Sequence, residues 1–434
     1  VLEKLNKIEE GKGRYFKPLI IDIEGKPRGL ILRGNISTYN KICFDGSSIK
    51  GHAKVEESDL IAKPDPRTIK TINVGGRTME IVICDVEKTN GEPYQKNPRV
   101  KLKEYILKFE KQNWKFKIGV EIEYFIIRRK KNGLETFDKD QYFEVAPYTK
   151  SEKIQLKIME KLNRIGIELE KTHHEVAEGQ YEYSIKASNP LTTADNIVIA
   201  KMVTKDIVRK YGFEATFMPK PFKNMNGSGM HIHISLLNEE GNIFYDKSKD
   251  NISQEALYAI GGILKSSKEI SILVAPTVNS YKRLKPNYEA PNKICWGYGN
   301  RSALIRVPIA IDEETCRIEY RHPDPSCNPY LAIMAVMVLT VNGIINKIDP
   351  GEPCRENAYK ISGKYTEVPS NLGEALSIFE NSKLTMEILG EELHNEIVKM
   401  KRDEWREYLN YILNNKLNDE DITDWEINRY LVKA

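Results

Sequence analysis

Residues 119–127, GVEIEYFII, set Glu121 and Glu123 two apart with Val120, Ile122 and Tyr124 interleaved. Successive side chains of a strand point to opposite faces, so this run puts two carboxylates on one face and apolar groups on the other. The same design recurs. His231 and His233 alternate in MHIHISL (230–236), followed by Ser235; Arg317, Glu319 and Arg321 alternate in RIEYRHPD (317–324); HHEVAEGQYEYSI (173–185) adds Glu175 and Glu182. One such pair alone reads as a solvated strand face. Four with apolar backs and Gly-rich flanks read as an enclosed acidic face. Two like charges ~4 Å apart repel by roughly 4 kcal/mol at an effective dielectric of about 20, so cations must share the site. Carboxylates with one imidazole form a hard, oxygen-rich ligand field suited to Mg²⁺ or Mn²⁺.

Positive charge is placed to match. Lys220, Arg283, Arg301, Arg306, Arg317 and Arg321 lie in or beside turns rich in Gly, Pro and Asn, where guanidinium forks grip phosphate or carboxylate. With a multi-carboxylate metal site they point to metal-assisted phosphoryl transfer. The run NGSGMH (226–231) is neither a P-loop nor a dinucleotide fingerprint; it reads as backbone made for close approach to a ligand.

The chain has 434 residues, 40% hydrophobic and 29% charged, enough for one large domain and a smaller one. Glycine and proline together number 27 + 20 = 47, too few for a low-complexity chain. Net charge is 66 − 62 = +4 with the signs interspersed, which gives no footprint for nucleic acid or membrane. The six cysteines contain no CxxC pair and read as reduced thiols. The start, VLEKLNKIEE, lacks the apolar core of a secretory signal, and the longest apolar stretch, Leu331 to Leu339, is far short of a membrane span. A cytoplasmic location is expected. Residues 1–97 read as a β module, with KPLIIDIEGKPRGLILRG a hairpin centred on Glu24-Gly25 and EIVICDV a further strand. Asn97-Pro98-Arg99 opens a helical pattern and the second domain, 98–434. Helices are predicted after Ser151, with Ile154, Ile158, Leu162 and Ile165 on one face, and from Asp195 to Tyr211.

Longer motifs then appear in order: FDGSSIKG (44–51), EESDL (56–60), NMNGSGMHIHISL (224–236), APTVNSYKRLKPNYEAP (275–291), GNRSALIRVP (299–308) and EYRHPDPSCNPYLA (319–332). In these the chain resembles type I glutamine synthetases over nearly its whole length. The resemblance implies an α+β fold: an N-terminal β-grasp domain, then a large catalytic domain whose antiparallel strands form a funnel capped by helices. It also implies a dodecamer of two hexameric rings, with each active site completed by a neighbour's N-terminal domain, and a nitrogen-regulatory protein as a further partner.

The implied activity is ATP-dependent ligation of L-glutamate and ammonium through a γ-glutamyl phosphate, with two to three Mg²⁺ or Mn²⁺ ions per site. By the same resemblance one metal falls to Glu123, Glu175 and Glu182, and a second to Glu121, His231 and Glu319. ATP falls near Glu170, His233, Ser235, Arg306 and Arg317. Glutamate falls near Asn226, Gly227, Arg283, Glu289, Arg301 and Arg321, and the ammonium pocket matches Asp45, Ser48, Tyr142 and Glu175. Asp45, Glu289 and Arg301 take the catalytic roles: base, flap carboxylate and phosphoryl-transfer arginine, with a lid over Lys285 to Ala290. His173 and His174 are expected to support the ligands rather than bind metal, and His52 reads as a packing or a surface residue. The flap reads KPNYEAP where VPGYEAP is usual. Tyr359, in ENAYK, falls near the tyrosine adenylylated in some members and is read as an exposed loop residue. Two other readings fit the same motifs: a γ-glutamyl-amine ligase, disfavoured by the small charged Asp45, Ser48 and Tyr142 set, and an inactive structural or nitrogen-sensing paralogue, disfavoured because every metal position is filled.

Overall fold

The computed structural model describes residues 15–74, 77–131, 133–248, 251–286, 288–432 and 434. The VLEKLNKIEE start and Asn287 of the expected lid lie outside them. The chain divides into two compact units, Val1–Val100 and Lys101–Ala434.

In the first unit, seven strands form one sheet among the described residues. Tyr15–Ile21 pairs antiparallel with Pro27–Gly29 around a turn in which Gly25 takes φ +79° and the Asp22 carboxylate accepts the Lys26 N–H at 2.8 Å. It also runs parallel to Arg77–Lys88, the central strand, as in a β-grasp. Phe16, Ile20, Leu60, Val82 and Val86 fill the core beneath. His52 is fully buried between the rings of Phe44 and Tyr94, and neither ring nitrogen has a hydrogen-bond partner among the described residues.

The second unit is built on a sheet of ten strands among the described residues. Its axis is the strand Lys115–Lys130, flanked by Gln180–Ser188 on one side and Met230–Asn238 on the other, both antiparallel. Beyond Met230–Asn238 come Ile318–Tyr320 and Ile305–Val307. The expected antiparallel order has one exception, because Trp296–Tyr298 runs parallel to Ile305–Val307. One face is apolar in every row: Tyr181 opposite Tyr124, Tyr183 opposite Ile122, Ile185 opposite Val120 and then Ile232, Ile118 opposite Ile234. All are buried, and the helix Pro190–Lys210 packs against that face. Full burial of a large apolar side chain is worth about 1.5–3 kcal/mol, so a one-residue slip, which would turn the whole row outward, is strongly opposed.

The helix predicted from Asp195 begins at Pro190, because Asn189 caps it (its side chain accepts the Thr192 N–H at 3.0 Å) and proline suits the first helical position. The predicted helices after Ser151 and at the domain junction occur as Glu152–Arg164 and Pro98–Glu110. Near the C-terminus Glu426, fully buried, binds Lys282 at 2.7 Å and accepts from Asn279 at 2.9 Å. Asn279 in turn clasps both the N–H and the carbonyl of Lys220. No helix among the described residues is long and apolar enough to cross a membrane.

Burial, aided by the Lys96 charge, pushes His52 down to about 4. Below its ordinary pKa of about 6.5 the unfolded chain gains a proton that the folded unit refuses, so stability is intact above that pH and falls on acidification at about 1.4 kcal/mol per pH unit. Amide exchange in the strand Arg77–Lys88 of the full chain should therefore report a loss of roughly 2 kcal/mol by pH 5, and His52→Phe should remove most of that dependence. Equal acid sensitivity in the two proteins would exclude this role for His52.

Candidate active site

The face opposite the apolar one carries the charged groups, and strand register assembles them. Glu182 lies directly opposite Glu123, with His173 opposite Glu182 on the other side. The next row reads Ser184, Glu121, His231, and the next reads Gly119, His233, Glu319, Arg306. Glu175 lies just past the end of Leu169–His174, in the turn before Gln180–Ser188. Its backbone is held by an N–H to the Gln180 carbonyl at 2.8 Å. Ile318–Tyr320 is only three residues long, so Arg317 and Arg321, expected on one strand face with Glu319, flank the strand instead.

Ligand atoms of Glu121, His231 and Glu319 lie within 4.8 Å of one another. Glu182 joins Glu123 and His231 in a second group, and His173 and Glu175 in a third, on the same criterion. Burial pushes Glu123 up to about 8, and the Glu175 charge adds to it. Burial, with the charges of Glu121 and Glu123, likewise raises Glu182 well above the usual carboxylate range. Burial opposes ionisation of Glu319 too, yet the Arg321 guanidinium, with the neighbouring histidines, holds it below that range. His231 is driven down to about 4 by burial and then by Arg321, which leaves a neutral imidazole with a lone pair to give. A cluster in which Glu123 and Glu182 cannot ionise unaided, beside an uncharged imidazole, is short of positive charge. Its donors are carboxylate oxygens and one ring nitrogen, which fits hard divalent cations.

Several groups brace this cluster that alternation did not single out. Lys171 donates to Glu121 at 2.8 Å and lies 3.3 Å from Glu182. Gln180 bridges Glu123 at 3.1 Å and the Gly227 carbonyl at 3.0 Å, and the Gly229 N–H reaches Glu123 at 2.8 Å. His173, 3.0 Å from Glu175, takes part in the third group directly. The available signal was Lys171's place two residues before His173 and four before Glu175, in the same period-two series.

Arg283 is almost fully buried, its guanidinium donating to the carbonyls of His322 at 2.9 Å and Arg321 at 3.1 Å. The glycines of NGSG make its room. A Cβ on Gly229 would stand 2.6 Å from Arg283 Nη2 and 2.7 Å from His231 Nε2, and one on Gly227 would stand 2.4 Å from the Pro219 carbonyl oxygen. The Asn226 amide donates to Glu289 at 3.1 Å, and Glu289 itself takes φ +56°. Next to it the Tyr288 ring faces the Lys220 ammonium at 3.5 Å. Arg306 donates to Glu319 at 2.6 Å, Arg321 also binds Glu319, Arg317 donates to His233 at 3.2 Å, and Ser235 donates to the Cys316 carbonyl at 2.9 Å.

The remaining candidates stand apart in kind. Glu170 is exposed at a bulge between Leu169 and Lys171, and its side chain makes no hydrogen bond among the described residues. Arg301 is exposed in a turn, and its charge bears on Tyr142, which stacks on Phe143 at 4.0 Å and meets His173 edge-on. Asp45 and Ser48 belong to the first unit, where the Asp45 carboxylate accepts from Ser48 and from both the N–H and hydroxyl of Ser47. Those side-chain bonds hold Asp45 down to about 2. Tyr359 departs from the expected exposed loop residue, for its hydroxyl is buried.

Comparison with known proteins extends over both units. A family model described as glutamine synthetase, beta-grasp domain, matches residues 20–89, and one described as glutamine synthetase, catalytic domain, matches residues 95–430. The chain is 39% identical to the glutamine synthetase of Thermotoga maritima, over 98% of each chain, and 41% identical to that of Pyrococcus horikoshii, over 99% of each. Plasmodium falciparum glutamine synthetase, solved by cryoEM, superposes with a TM-score of 0.84 at 26% identity over 99% of this chain and 98% of that one. A GmaS/ADP complex superposes with a TM-score of 0.84 at 27% identity over 98% of both. With two family models in sequence and relatives aligned from end to end, this chain belongs to the glutamine synthetase family.

Proposed function

We infer that the chain is a glutamate–ammonia ligase, making glutamine from L-glutamate and ammonium at the expense of ATP. The observation that carries this is the register of the sheet, which lays Glu121, Glu123, Glu182, His231 and Glu319 on one face of a family member related over its full length. Glu123, Glu175 and Glu182 would hold one divalent cation and Glu121, His231 and Glu319 another, with His173 beside the first. When bound, the cations supply Lewis-acid polarisation and neutralise phosphate charge. The oxygen-rich donor set favours Mg²⁺ or Mn²⁺ over softer metals.

The reaction requires glutamate's γ-carboxylate to become an acyl phosphate, since a carboxylate does not acylate an amine at neutral pH. Arg301 neutralises charge as the phosphoryl group moves, while Arg283, Arg321, Asn226 and Gly227 orient the amino acid. Arg306, Arg317, His233, Ser235 and Glu170 line the nucleotide side, and the bound ADP of the GmaS relative supports a nucleotide on this fold. Asp45, ionised across the physiological range, is suited to capturing ammonium, and the family resemblance groups Ser48, Tyr142 and Glu175 with it; as base it takes the ammonium proton to release the nucleophile. Glu289, joined to Asn226, screens the acyl phosphate from water and accepts a proton from the tetrahedral adduct. A dodecamer in which a neighbouring copy supplies Asp45 and Ser48, a cytoplasmic site of action, a domain boundary at residue 97 and a nitrogen-regulatory partner complete the reading, all supported by the family resemblance.

Phosphate release should require ATP, glutamate and ammonium together, with glutamine as product; preference for a bulky primary amine would replace the substrate assignment. Glu289→Ala should lower synthesis by about 10²-fold while nucleotide affinity holds, as expected for loss of one proton-transfer group; parallel loss of both would contradict the lid role. Millimolar Mg²⁺ or Mn²⁺ should raise the melting temperature, corresponding to about 2.7 kcal/mol at a hundredfold excess over Kd. Glu182→Gln should blunt that rise, and an undiminished response would remove Glu182 from the metal site.

A further inference from the structure

Tyr359 sits on the short 3-10 turn Ala358–Lys360, whose N-cap Asn357 accepts the Tyr359 N–H at 3.0 Å. The turn is bound to the segment that carries Arg301. Asn300 donates to the carbonyls of Cys354 and Glu356, each at 2.9 Å, and the Ser302 hydroxyl accepts the Ala358 N–H at 2.8 Å. The backbone of Tyr359 is therefore fixed, and its phenol has been turned inward. Among the described residues the buried hydroxyl has no hydrogen-bond partner. The charged side chains that bear on it are Arg321, Glu289 and Arg283, which are the groups gathered at the amino-acid end of the site.

A second unmatched donor lies in the same field. Arg321 spends one terminal nitrogen on Glu319, but its Nε is buried without a partner among the described residues. Arg283 cannot serve it, since a guanidinium only donates, and its own terminal nitrogens go to backbone carbonyls. A buried hydroxyl and a buried guanidinium N–H left unmatched are costly in a free protein and become favourable once an anionic acceptor arrives. Burial keeps the Tyr359 phenol protonated, at about 12, so it is a donor at neutral pH.

We propose that Tyr359 is a substrate-contacting residue whose hydroxyl, together with Arg321 Nε, donates hydrogen bonds to a carboxylate of the amino-acid substrate. This rests on the assignment of glutamate to that end of the site. The inward phenol is also poorly placed to accept a nucleotidyl group from a modifying enzyme.

Tyr359→Phe removes the hydroxyl and keeps the ring, so it isolates the claim. In the full chain with Mg²⁺, KM for glutamate should rise about tenfold or more, the scale of a hydrogen bond to a charged group. KM for ATP and for ammonium, and kcat at saturating glutamate, should stay within about twofold. The melting temperature of the ligand-free variant should not fall, because the hydroxyl has no partner to lose. Calorimetric titration of L-glutamate into both proteins should show the same loss of affinity without turnover. An unchanged glutamate affinity, an equal weakening towards ATP, or a lowered melting temperature would each overturn the proposal. If the wild type bound glutamate but made no glutamine, the ligase reading would fail, while the binding comparison would still decide the role of Tyr359.

Discussion

Mutual repulsion among carboxylates on neighbouring strands is the constraint around which this molecule is organised. Strands in a sheet lie about 4.7–4.9 Å apart, so acids placed directly opposite each other, as Glu182 and Glu123 are, cannot all remain charged in a buried setting. What forces them together is the other side of the same strands. Ile122, Tyr124, Tyr183 and Ile232 are buried on the opposite face, and the pleat then leaves the acids no alternative. Hydrophobic burial thus holds the ligands in a geometry that they would not adopt on electrostatic grounds.

The counterweights come from neighbouring strands and the turns that flank them. Lys171, Arg306 and Arg321 reach in to pair with Glu121 and Glu319, while Gln180 and the Gly229 N–H steady Glu123 without adding charge. Arg283 is anchored on carbonyls rather than carboxylates, so it keeps a net positive charge for a ligand. The helix that bears it, Val278–Arg283, is pinned through Lys282 and Asn279 to Glu426, and Asn279 also grips the backbone of Lys220. Replacing one member of a buried pair such as Lys282–Glu426 typically costs several kcal/mol. The far C-terminal helix is therefore part of what holds Arg283 and Lys220 in place.

Period-two alternation was enough to find Glu121, Glu123, His231, His233, Glu182 and Glu319, because each sits where local backbone alone sets its direction. Glu175, Arg317 and Arg321 were visible as residue types but not in their placement, since they occupy turns whose course depends on tertiary contacts. The start of the helix Pro190–Lys210 was carried by its cap, Asn189, and not by apolar spacing. The neighbours of Tyr359, Glu356, Asn357 and Lys360, make the stretch look like surface, whereas hydrogen bonds from Asn300 and to Ser302, more than fifty residues away, draw the turn inward. Strand order, including the parallel pair Trp296–Tyr298 and Ile305–Val307, depends on pairings between distant segments that no local pattern encodes.

Gly229 contributes by having nothing where another residue would have a methyl group. Arg283 and His231 occupy that volume from two sides, so the smallest substitution would press on the guanidinium and the imidazole at once. Drift at this position has no gentle first step. A side chain here could be admitted only by moving the guanidinium off its carbonyl anchors or by turning the imidazole, so these three residues set one another's limits.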